Sequence, residues 1–388
     1  MMGHPEIAYI VSRWGEPTQT FVRREAEGVA ALGADVIAVS LKRPGAAGST
    51  VRSTHLTPAA VLVGLARTTV RHPGPVARVL KTVITRSALR NVVPQLVAAA
   101  VGLAWAGRPE ATRRSLHAHF GWVAVTAAWA AAQVTGARFS VVLHAFELHG
   151  RRYQDRFTEV PIRSADAVFV ISAADRAIAS KRWGIEATVI RMGVPGGWLA
   201  DAPDPMVGRD RVVSVGSLVP KKGHDVLLRA IAECPVRYRL EIIGAGPLEA
   251  SLRDQCRRLG LEARVEFVGL LGEEEVRRRL RSAWVVALAA RVDTSGDQDG
   301  VPVALMEAMA VGSPVVSTRV GAIAELVEGA GLLVPPEDSA AFAGALGSLH
   351  DPEARARWAR AGIARVRDGW TIEASAQVVF DAHRSIDG

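Results

Sequence analysis

Two acidic residues stand near the start of a short predicted helix, in a segment rich in glycine. Asp299 lies just before this helix and Glu307 lies about two turns inside it. Carboxylates at two such places accept hydrogen bonds from two separate sets of hydroxyl groups on one extended ligand. The free backbone N–H groups around Gly300, Val301 and Val303 suit phosphate or sugar oxygens. The segment therefore predicts a site for a ligand that carries hydroxyls and an anionic group.

A second glycine-bearing loop supplies positive charge. It joins a predicted strand to a predicted helix and runs Gly216-Ser217-Leu218-Val219-Pro220-Lys221-Lys222-Gly223. A lysine just before a glycine at such a junction is well placed to neutralise a diphosphate, and Lys222 has this position.

A third loop, Gly244-Ala245-Gly246-Pro247, looks like the start of a dinucleotide fingerprint. Glu249 stands where the third glycine of that fingerprint would be, so a dehydrogenase is disfavoured. Tight-turn roles and direct ligand contacts both stay open for Gly244 and Gly246.

Three histidines lie at the ends of two neighbouring predicted strands of the first half: His117, His119 and His144, with Glu147 three residues after the last. Zinc binding by these histidines is disfavoured, because no cysteine joins them and the spacing lacks a helical His-x3-His pair. We expect no metal and no cofactor.

Strand-like apolar runs alternate with helix-length segments along the chain, which is the pattern of parallel α/β sheets. One series runs from Ile7–Ser12 to Thr188–Met192, and a second runs from Val212–Val215 to Leu332–Val334. The stretch 193–210, rich in turn residues, is typical of a linker. The sequence predicts two Rossmann-like parallel-sheet domains facing across a cleft, with ligands beyond the strands' carboxyl ends. We expect an acceptor-binding domain at 1–195, a donor-binding domain at 209–368, and a final helix, 371–388, that packs back on the first.

The segment from Asp299 to Val316 resembles the donor-site signature of the retaining glycosyltransferases of the GT-B class, family 4. In that signature, two acids separated by seven residues precede Ala-Met-Ala and Gly-x-Pro-Val-Val. The turn from Gly15 to Phe21 is similar to the Ser-Glu-Thr-Phe turn of bacterial exopolysaccharide transferases of the colanic-acid type.

This resemblance implies a role for each loop in binding a nucleotide-sugar donor. Glu307 would bind the ribose, Asp299 the donor sugar, and Lys222 the diphosphate. His144 would contact the sugar near the reacting centre, so His144, Lys222 and Asp299 are the expected catalytic residues. Gly246 and Val268 would line the nucleotide pocket, and Gly15 would let backbone approach the diphosphate.

The sequence departs from the family pattern at two of these positions. The first acid is usually Glu, and Asp299 is one methylene shorter. Ser217 stands where the family has an arginine, so one cationic contact is missing. Lys221 or a basic residue of the first domain are both open as its replacement.

The resemblance implies a retaining transferase that moves a hexose-type sugar from a nucleotide-diphosphate sugar to a hydroxyl acceptor. A glycan, a lipid-linked intermediate and a small natural product all stay open as the acceptor. A nucleotide-sugar epimerase and a non-catalytic nucleotide-sugar-binding protein are the alternatives.

The chain has 388 residues and a formal net charge of +8, and much of its basic charge is concentrated in one segment. Residues 51–114 hold ten basic residues and one acid, Glu110, with apolar residues between them. This segment could lie on an anionic membrane surface or form a solvated helical face. Nucleic-acid binding is disfavoured, because no aromatic platform or recognition motif accompanies the charge. The basic residues of this segment are Arg52, Arg67, Arg71, Arg78, Lys81, Arg86, Arg90, Arg108, Arg113 and Arg114.

Cys234 and Cys256 are typical of thiols in a reducing compartment, and we expect a cytoplasmic protein without an export signal.

Overall fold

The computed structural model describes residues 4–16, 19–45, 48–111, 114–149, 156–202 and 210–387. Contacts divide the chain into two compact units. The first comprises Met1–Ile190 with Glu373–Gly388, and the second comprises Arg191–Ile372. Each unit is built on one parallel β-sheet, so the predicted Rossmann-like α/β class is present in both. Residues 203–209 of the predicted linker lie outside the described residues.

The first sheet contains strands β1 (Glu6–Val11), β2 (Asp35–Ser40), β3 (Arg52–His55), β4 (Ser115–His119), β5 (Phe139–Leu143), β6 (Ala167–Val170) and β7 (Thr188–Val189). Their order across the sheet is β3-β2-β1-β4-β5-β6-β7, and every described pairing is parallel. Strands β4 and β5 are buried along their whole length, as expected where helices cover both faces of a sheet.

The helices of the first unit are α1 (Thr20–Ala31), α2 (Pro58–Arg71), α3 (Pro73–Arg86), α4 (Leu89–Ala106), α5 (Val123–Thr135), α6 (Ala145–His149), α7 (Arg156–Arg163) and α8 (Ala173–Trp183). Helix α8 begins at an N-cap, Ser172, whose hydroxyl accepts a hydrogen bond from the N–H of Asp175 at 3.0 Å. It ends at Gly184, which has a left-handed backbone that glycine adopts without strain.

Helices α4 and α5 form the apolar centre of the first unit. Among the described helices, α4 alone is long and apolar enough to cross a membrane, yet 56% of it is buried inside the structure. It packs against α5, an alanine-rich helix whose residues 124–132 are all buried. A Cβ built on Gly102 would lie 2.1 Å from the carbonyl oxygen of Ala127, so the two backbones touch there. The burial of α4 is that of a core helix.

The second sheet contains β8 (Arg211–Val215), β9 (Arg239–Ile243), β10 (Val265–Gly269), β11 (Val285–Leu288), β12 (Val315–Thr318) and β13 (Leu332–Val334), in the order β10-β9-β8-β11-β12-β13. Its described pairings are also parallel. The surrounding helices are α9 (His224–Glu233), α10 (Glu249–Arg258), α11 (Glu273–Arg281), α12 (Val303–Ala310), α13 (Ile323–Val327), α14 (Ser339–Ser348) and α15 (Pro352–Arg367).

Two aromatic side chains anchor α14 in the core of the second unit. The indole N–H of Trp284 donates to the carbonyl of Leu349 at 2.8 Å, and the hydroxyl of Tyr238 donates to the carbonyl of Leu346 at 3.1 Å. Both rings are buried, so each polar atom needs such a partner.

The last helix, α16 (Ile372–Asp387), contributes a buried histidine to the first unit. The ring of His383 lies 2.8 Å from the hydroxyl oxygen of Ser115 and 2.8 Å from that of Ser140. These serines belong to β4 and β5, so α16 is joined to the centre of the first sheet.

The basic segment is not uniformly exposed. Arg114 is buried, and its guanidinium pairs with the carboxylate of Asp35 and donates to the carbonyl of the same residue at 2.8 Å. The prediction that Arg114 belongs to a basic surface is therefore wrong, because its guanidinium holds the start of β4 against β2. Arg113 lies outside the described residues.

The contact between α4 and α5 predicts a specific cost for a single methyl group. Gly102→Ala places a Cβ into the backbone of Ala127 and is expected to lower the free energy of unfolding by about 1–3 kcal/mol. The matched control is Gly344→Ala in α14, where an added Cβ has no neighbour within 4 Å. Gly344→Ala should be neutral or stabilising by up to about 1 kcal/mol. Equal thermal unfolding midpoints for the two variants would contradict this packing.

Candidate functional site

Both sheets have a position at which the strand order reverses. In the second sheet β8 neighbours β11, and the chain continues outward from these strands in opposite directions. The loops after such a pair diverge, and ligands of open α/β sheets bind in the crevice they leave. Lys222 follows β8 and Asp299 follows β11, so the structure brings these two predicted residues to that position.

Opposite charges meet directly between these two loops. The Lys222 Nζ lies 2.8 Å from Asp299 Oδ2, and both side chains are largely buried. The Nζ of Lys221 lies 3.0 Å from Asp297 Oδ2 and 4.0 Å from Asp299 Oδ1. Two lysines therefore lie beside two aspartates. Among the described residues of these two loops, Lys221 is a second cation next to Lys222.

Arg291 ties the loop after β11 to the loop after β8. Its backbone N–H donates to the carbonyl of Lys221 at 2.9 Å, and its side chain donates to that of Pro220 at 2.8 Å. The same guanidinium also pairs with Asp225 at 2.8 Å and with Glu337 at 3.1 Å. The lysines and aspartates are thus held by a common framework.

The glycines after β9 have a packing role. An added Cβ on Gly244 would lie 2.0 Å from the carbonyl oxygen of Gly216, and one on Gly246 would lie 2.5 Å from that of Leu218. The turn therefore sits directly on the loop that carries Lys222. Ser217 is half-buried in this loop, and Val268 is half-buried in β10, at the next strand end.

Helix α12 begins later than the sequence predicts. It starts at Val303, so Glu307 lies about one turn inside the helix rather than two, because 301 and 302 still belong to the preceding loop. Glu307 is 6% exposed. Gly321, with a φ of +51°, lies against the carbonyl oxygen of Asp299, where an added Cβ would come within 2.6 Å. Gly300 is half-buried and Val301 is buried.

In the first sheet the strand order reverses between β1 and β4. Gly15 lies in the turn after β1, with a φ of +71°. Its carbonyl oxygen packs against Gly45, where an added Cβ would come within 2.6 Å. Pro17 and Thr18 of the predicted turn motif lie outside the described residues.

His144 follows β5, next to β4. Its ring centroid lies 4.3 Å from that of Phe120 and 5.2 Å from that of Phe21. Phe120 has a φ of +73°, which is rare for a bulky residue and typical of strained functional sites. No sequence pattern pointed to Phe120.

Glu147 fixes the turn that carries His144. One of its carboxyl oxygens accepts from the N–H of His144 at 3.0 Å, and the other accepts from the N–H of Gly121. Burial raises the pKa of Glu147 to about 8, and the nearby Asp175 adds to this. Glu147 is therefore a structural partner of the turn rather than a solvent-facing acid.

Sequence reasoning also missed Glu25, a buried carboxylate on α1. Its Oε1 lies 2.9 Å from His119 Nε2, 3.2 Å from His117 Nε2 and 3.2 Å from the hydroxyl of Tyr9. The three potential metal-ligand atoms of Glu25, His117 and His119 lie within 4.8 Å of one another. The available signal was position: Glu25 is four residues after Phe21, on the buried face of α1.

His224, the first residue of α9, is another buried titratable group near Lys222. It is 2% exposed. Burial, together with the positive charge of Lys222, lowers the pKa of its ring to about 4. The ring is therefore neutral at physiological pH.

Residues 209–351 match the family described as group 1 glycosyl transferases. Over 238 residues the chain is 35% identical to WcaL of Escherichia coli, a colanic acid biosynthesis glycosyltransferase, covering 58% of this chain and 59% of that protein. AmsK of Erwinia amylovora, an amylovoran biosynthesis glycosyltransferase, is 40% identical over 149 residues, which are 37% of each protein. The chain thus matches at most about three fifths of the length of these relatives. The predicted resemblance to bacterial exopolysaccharide transferases of the colanic-acid type is confirmed.

Two solved structures share the fold over nearly the whole chain. HepE of Anabaena in complex with UDP and glucose is 18% identical, with a TM-score of 0.73, and the match covers 97% of this chain and 99% of that one. Sucrose-phosphate synthase of Thermosynechococcus elongatus is 21% identical, with a TM-score of 0.74 and 98% of each chain covered. The predicted GT-B fold class is confirmed.

The depressed pKa of His224 predicts a pH dependence of stability. In the unfolded chain, His224 takes up a proton as the pH falls below about 6.5, whereas in the folded chain it does so only near pH 4. The free energy of unfolding should therefore fall, by up to about 1.4 kcal/mol per pH unit, as the pH drops through this window. His224→Gln should make the pH slope of urea-unfolding midpoints shallower. His350→Gln, at an exposed histidine of the same unit, should leave it unchanged; equal slopes in both variants would refute the assignment.

Proposed function

We propose that this chain, in which residues 209–351 match the group 1 glycosyl transferases, transfers a sugar from a nucleotide-diphosphate sugar to a hydroxyl acceptor. The observation that supports this most is the Lys222–Asp299 pair at the strand-order reversal of the second sheet. A cation for a diphosphate and a carboxylate for hydroxyls lie within hydrogen-bond distance there. The relatives' names place them in polysaccharide biosynthesis, and we extend that role to this chain.

Donor binding in this proposal is an exchange of ion-pair partners. Without a ligand, Lys222 is neutralised by Asp299. A diphosphate carries more negative charge than one carboxylate, so it replaces Asp299 as the partner of Lys222. Asp299 then accepts hydrogen bonds from sugar hydroxyls, and Lys221 takes the place of the missing family arginine. Glu307, at the buried face of α12, binds the ribose.

The chemical step requires stabilisation of the departing nucleoside diphosphate. Lys222, Lys221 and the backbone N–H groups at the start of α12 supply preorganised positive charge where negative charge develops on the phosphates. We propose that the sugar is a hexose and that the acceptor hydroxyl attacks from the face that the nucleotide leaves, with retention of configuration. His144 contacts the sugar, and no metal is required.

A donor panel tests this function directly. The purified protein is incubated with UDP-, GDP- and ADP-sugars, and nucleoside diphosphate release is followed with and without candidate glycan or lipid-linked acceptors. Acceptor-dependent release of one nucleotide supports a transferase. An epimerised donor would point to a nucleotide-sugar epimerase instead, and binding without any turnover would point to a non-catalytic binding protein.

Lys222→Ala is expected to lower kcat by about 10²- to 10³-fold with the active donor, because one charge that stabilises the leaving group is lost. The matched control is Lys181→Ala, at an exposed position near the end of α8, which should retain the wild-type rate. Steady-state assays with saturating donor distinguish the two variants. A wild-type kcat in Lys222→Ala would remove this lysine from the site.

We further propose that the first unit docks on an anionic membrane surface. The exposed sides of α2, α3 and α4 combine apolar and basic residues, and residues 36–109 contain no Asp or Glu. Leu89 is 93% exposed, and Val93 and Val97 follow it at four-residue intervals on α4. Exposed apolar side chains beside positive charge suit the headgroup boundary of anionic lipids. The other exposed members of this basic apolar face are Leu62, Val63, Val70, Ile84, Arg67, Arg71, Arg78, Lys81, Arg86 and Arg90.

A cytoplasmic location at the inner face of the membrane fits both this surface and the thiols. Cys234 and Cys256 are buried and free, which is the usual state of thiols in a reducing compartment. A lipid-linked acceptor would reach an enzyme docked in this way without leaving the bilayer.

Vesicle cosedimentation tests the docking surface. The protein should bind vesicles that contain phosphatidylglycerol and not vesicles of phosphatidylcholine alone, and binding should weaken with salt. Leu89→Ser combined with Val93→Ser should reduce binding at least about tenfold, because two exposed apolar contacts are lost. Leu270→Ser, at a comparably exposed residue of the second unit, is the control. Equal binding by both variants, or equal binding to the two vesicle types, would contradict the proposal.

A further inference from the structure

We propose that Glu25 is a positioning residue that acts through His119 on His144. In this arrangement, Glu25 fixes the proton of His119 on Nε2, and His119 in turn fixes the proton of His144 on Nε2. His144 is then held as one tautomer, with Nδ1 as its hydrogen-bond acceptor. Only the assignment of a donor-sugar hydroxyl to that acceptor rests on the proposed function.

The three side chains form a continuous buried chain of contacts. Glu25 Oε1 lies 2.9 Å from His119 Nε2, and His119 Nδ1 lies 3.3 Å from His144 Nε2. All three are at most 5% exposed. Water therefore has little access to these side chains, and their protein partners decide which nitrogen carries each proton.

The direction of donation follows from the charge at one end. A carboxylate can only accept, so His119 must donate to Glu25 from Nε2. In the proposed arrangement His119 carries only this one proton, so its Nδ1 is an acceptor and the facing Nε2 of His144 donates to it. Each ring nitrogen is used in a single sense, which leaves one tautomer for each ring.

The groups on the other side of Glu25 satisfy the same rule. His117 Nε2 lies 3.2 Å from Glu25 Oε1, and the hydroxyl of Tyr9 donates to the same oxygen at 3.2 Å. His117 Nδ1 then accepts from the hydroxyl of Ser140 at 2.7 Å. Ser140 accepts from His383 Nε2 at 2.8 Å, and His383 Nδ1 accepts from the hydroxyl of Ser115 at 2.8 Å. The negative charge of Glu25 favours a proton on the facing nitrogen of His117, and the contacts through Ser140 extend the same order to His383.

The titration behaviour of the cluster is consistent with this order. Burial lowers the pKa of His144, His117 and His383 below the ordinary range, which favours neutral rings. Burial alone would raise the pKa of Glu25, but its close contacts with His119 and His117 lower it below its usual range. Glu25 is thus the ionised member of the network. Glu147, the other acid beside His144, has a raised pKa and bonds to backbone N–H groups.

Nitrogen-15 NMR of the histidine rings in the whole protein tests the assignment without any substrate. Wild-type His144 should show one tautomer, with the proton on Nε2. His119→Phe removes the acceptor and should give a mixture of tautomers at His144, while the aromatic packing is kept. A mixture in the wild type, a proton on Nδ1, or an unchanged His144 signal in His119→Phe would overturn the proposal.

Glu25→Gln tests whether the effect reaches the reaction. It should lower kcat by about 10- to 100-fold with the donor KM within about threefold, because the ring stays in place but loses its fixed tautomer. The matched control is Glu27→Gln on the same helix, where the acid bonds to Arg23 and Ser49 outside the network. A wild-type kcat in Glu25→Gln would reject the positioning role even if the transferase function holds. If no donor is turned over by the wild type, the proposed function fails and the NMR result still decides the tautomer.

A metal site is the competing arrangement, and metal analysis of the same preparation tests it. Glu25, His117 and His119 place three ligand atoms within reach of one ion, and a bound metal would occupy the Nε2 positions that need protons here. Stoichiometric zinc in the purified protein, or loss of the ring signals on zinc titration, would overturn the hydrogen-bonded chain. Unchanged ring signals with added zinc support it.

Discussion

Parallel strands carry the chain to the same edge of a sheet, and this constraint places the candidate functional residues that follow the strands. In each unit the strand order reverses once, between β1 and β4 and between β8 and β11. The loops after these strands diverge from a common point, where side chains can converge on a ligand without disturbing the ladder of hydrogen bonds beneath. Residues far apart along the chain, such as Lys222 and Asp299, meet because the sheet order brings their strands together.

The two edges differ in their electrostatics. At the second sheet, the charges are formal and paired, lysine against aspartate, with Lys222 and Asp299 largely buried and Lys221 and Asp297 more accessible. Such pairs contribute little to stability, because solvent screening and desolvation offset most of the attraction. In the proposed function their value is in exchange, because an arriving diphosphate would meet cations already in place. At the first sheet, a single buried carboxylate lies against two buried histidine rings, and buried hydrogen bonds link these groups to their surroundings.

The sequence allowed prediction of the fold class and of the second unit's loops, because their glycines, lysines and acids are local motifs read along the chain. Gly244 and Gly246 show why such motifs can be recognised from the sequence, because any side chain there would collide with the loop that carries Lys222. Glu25 and Phe120 were missed for the opposite reason. Glu25 is a site residue only because α1 packs against β4, 94 residues away along the chain, and the unusual φ of Phe120 depends on the tertiary environment. The assignment of Arg114 to the surface failed in the same way, since sequence alone does not reveal its partner Asp35.

In the proposed function, the distribution of charge also separates two tasks of sugar transfer. Negative charge would grow on the departing diphosphate, and the lysine cations at the second sheet would stabilise it. A donor sugar itself is uncharged, and its hydroxyls are best oriented by groups that do not compete for the diphosphate. A neutral imidazole held as one tautomer meets this requirement, whereas a protonated His144 would attract the phosphates and lose its acceptor nitrogen. In the proposed arrangement, Glu25 is buried and acts on His144 through one intervening side chain, that of His119. This orients His144 without exposing a second anion to the donor, which is a physical reason for the carboxylate to act indirectly.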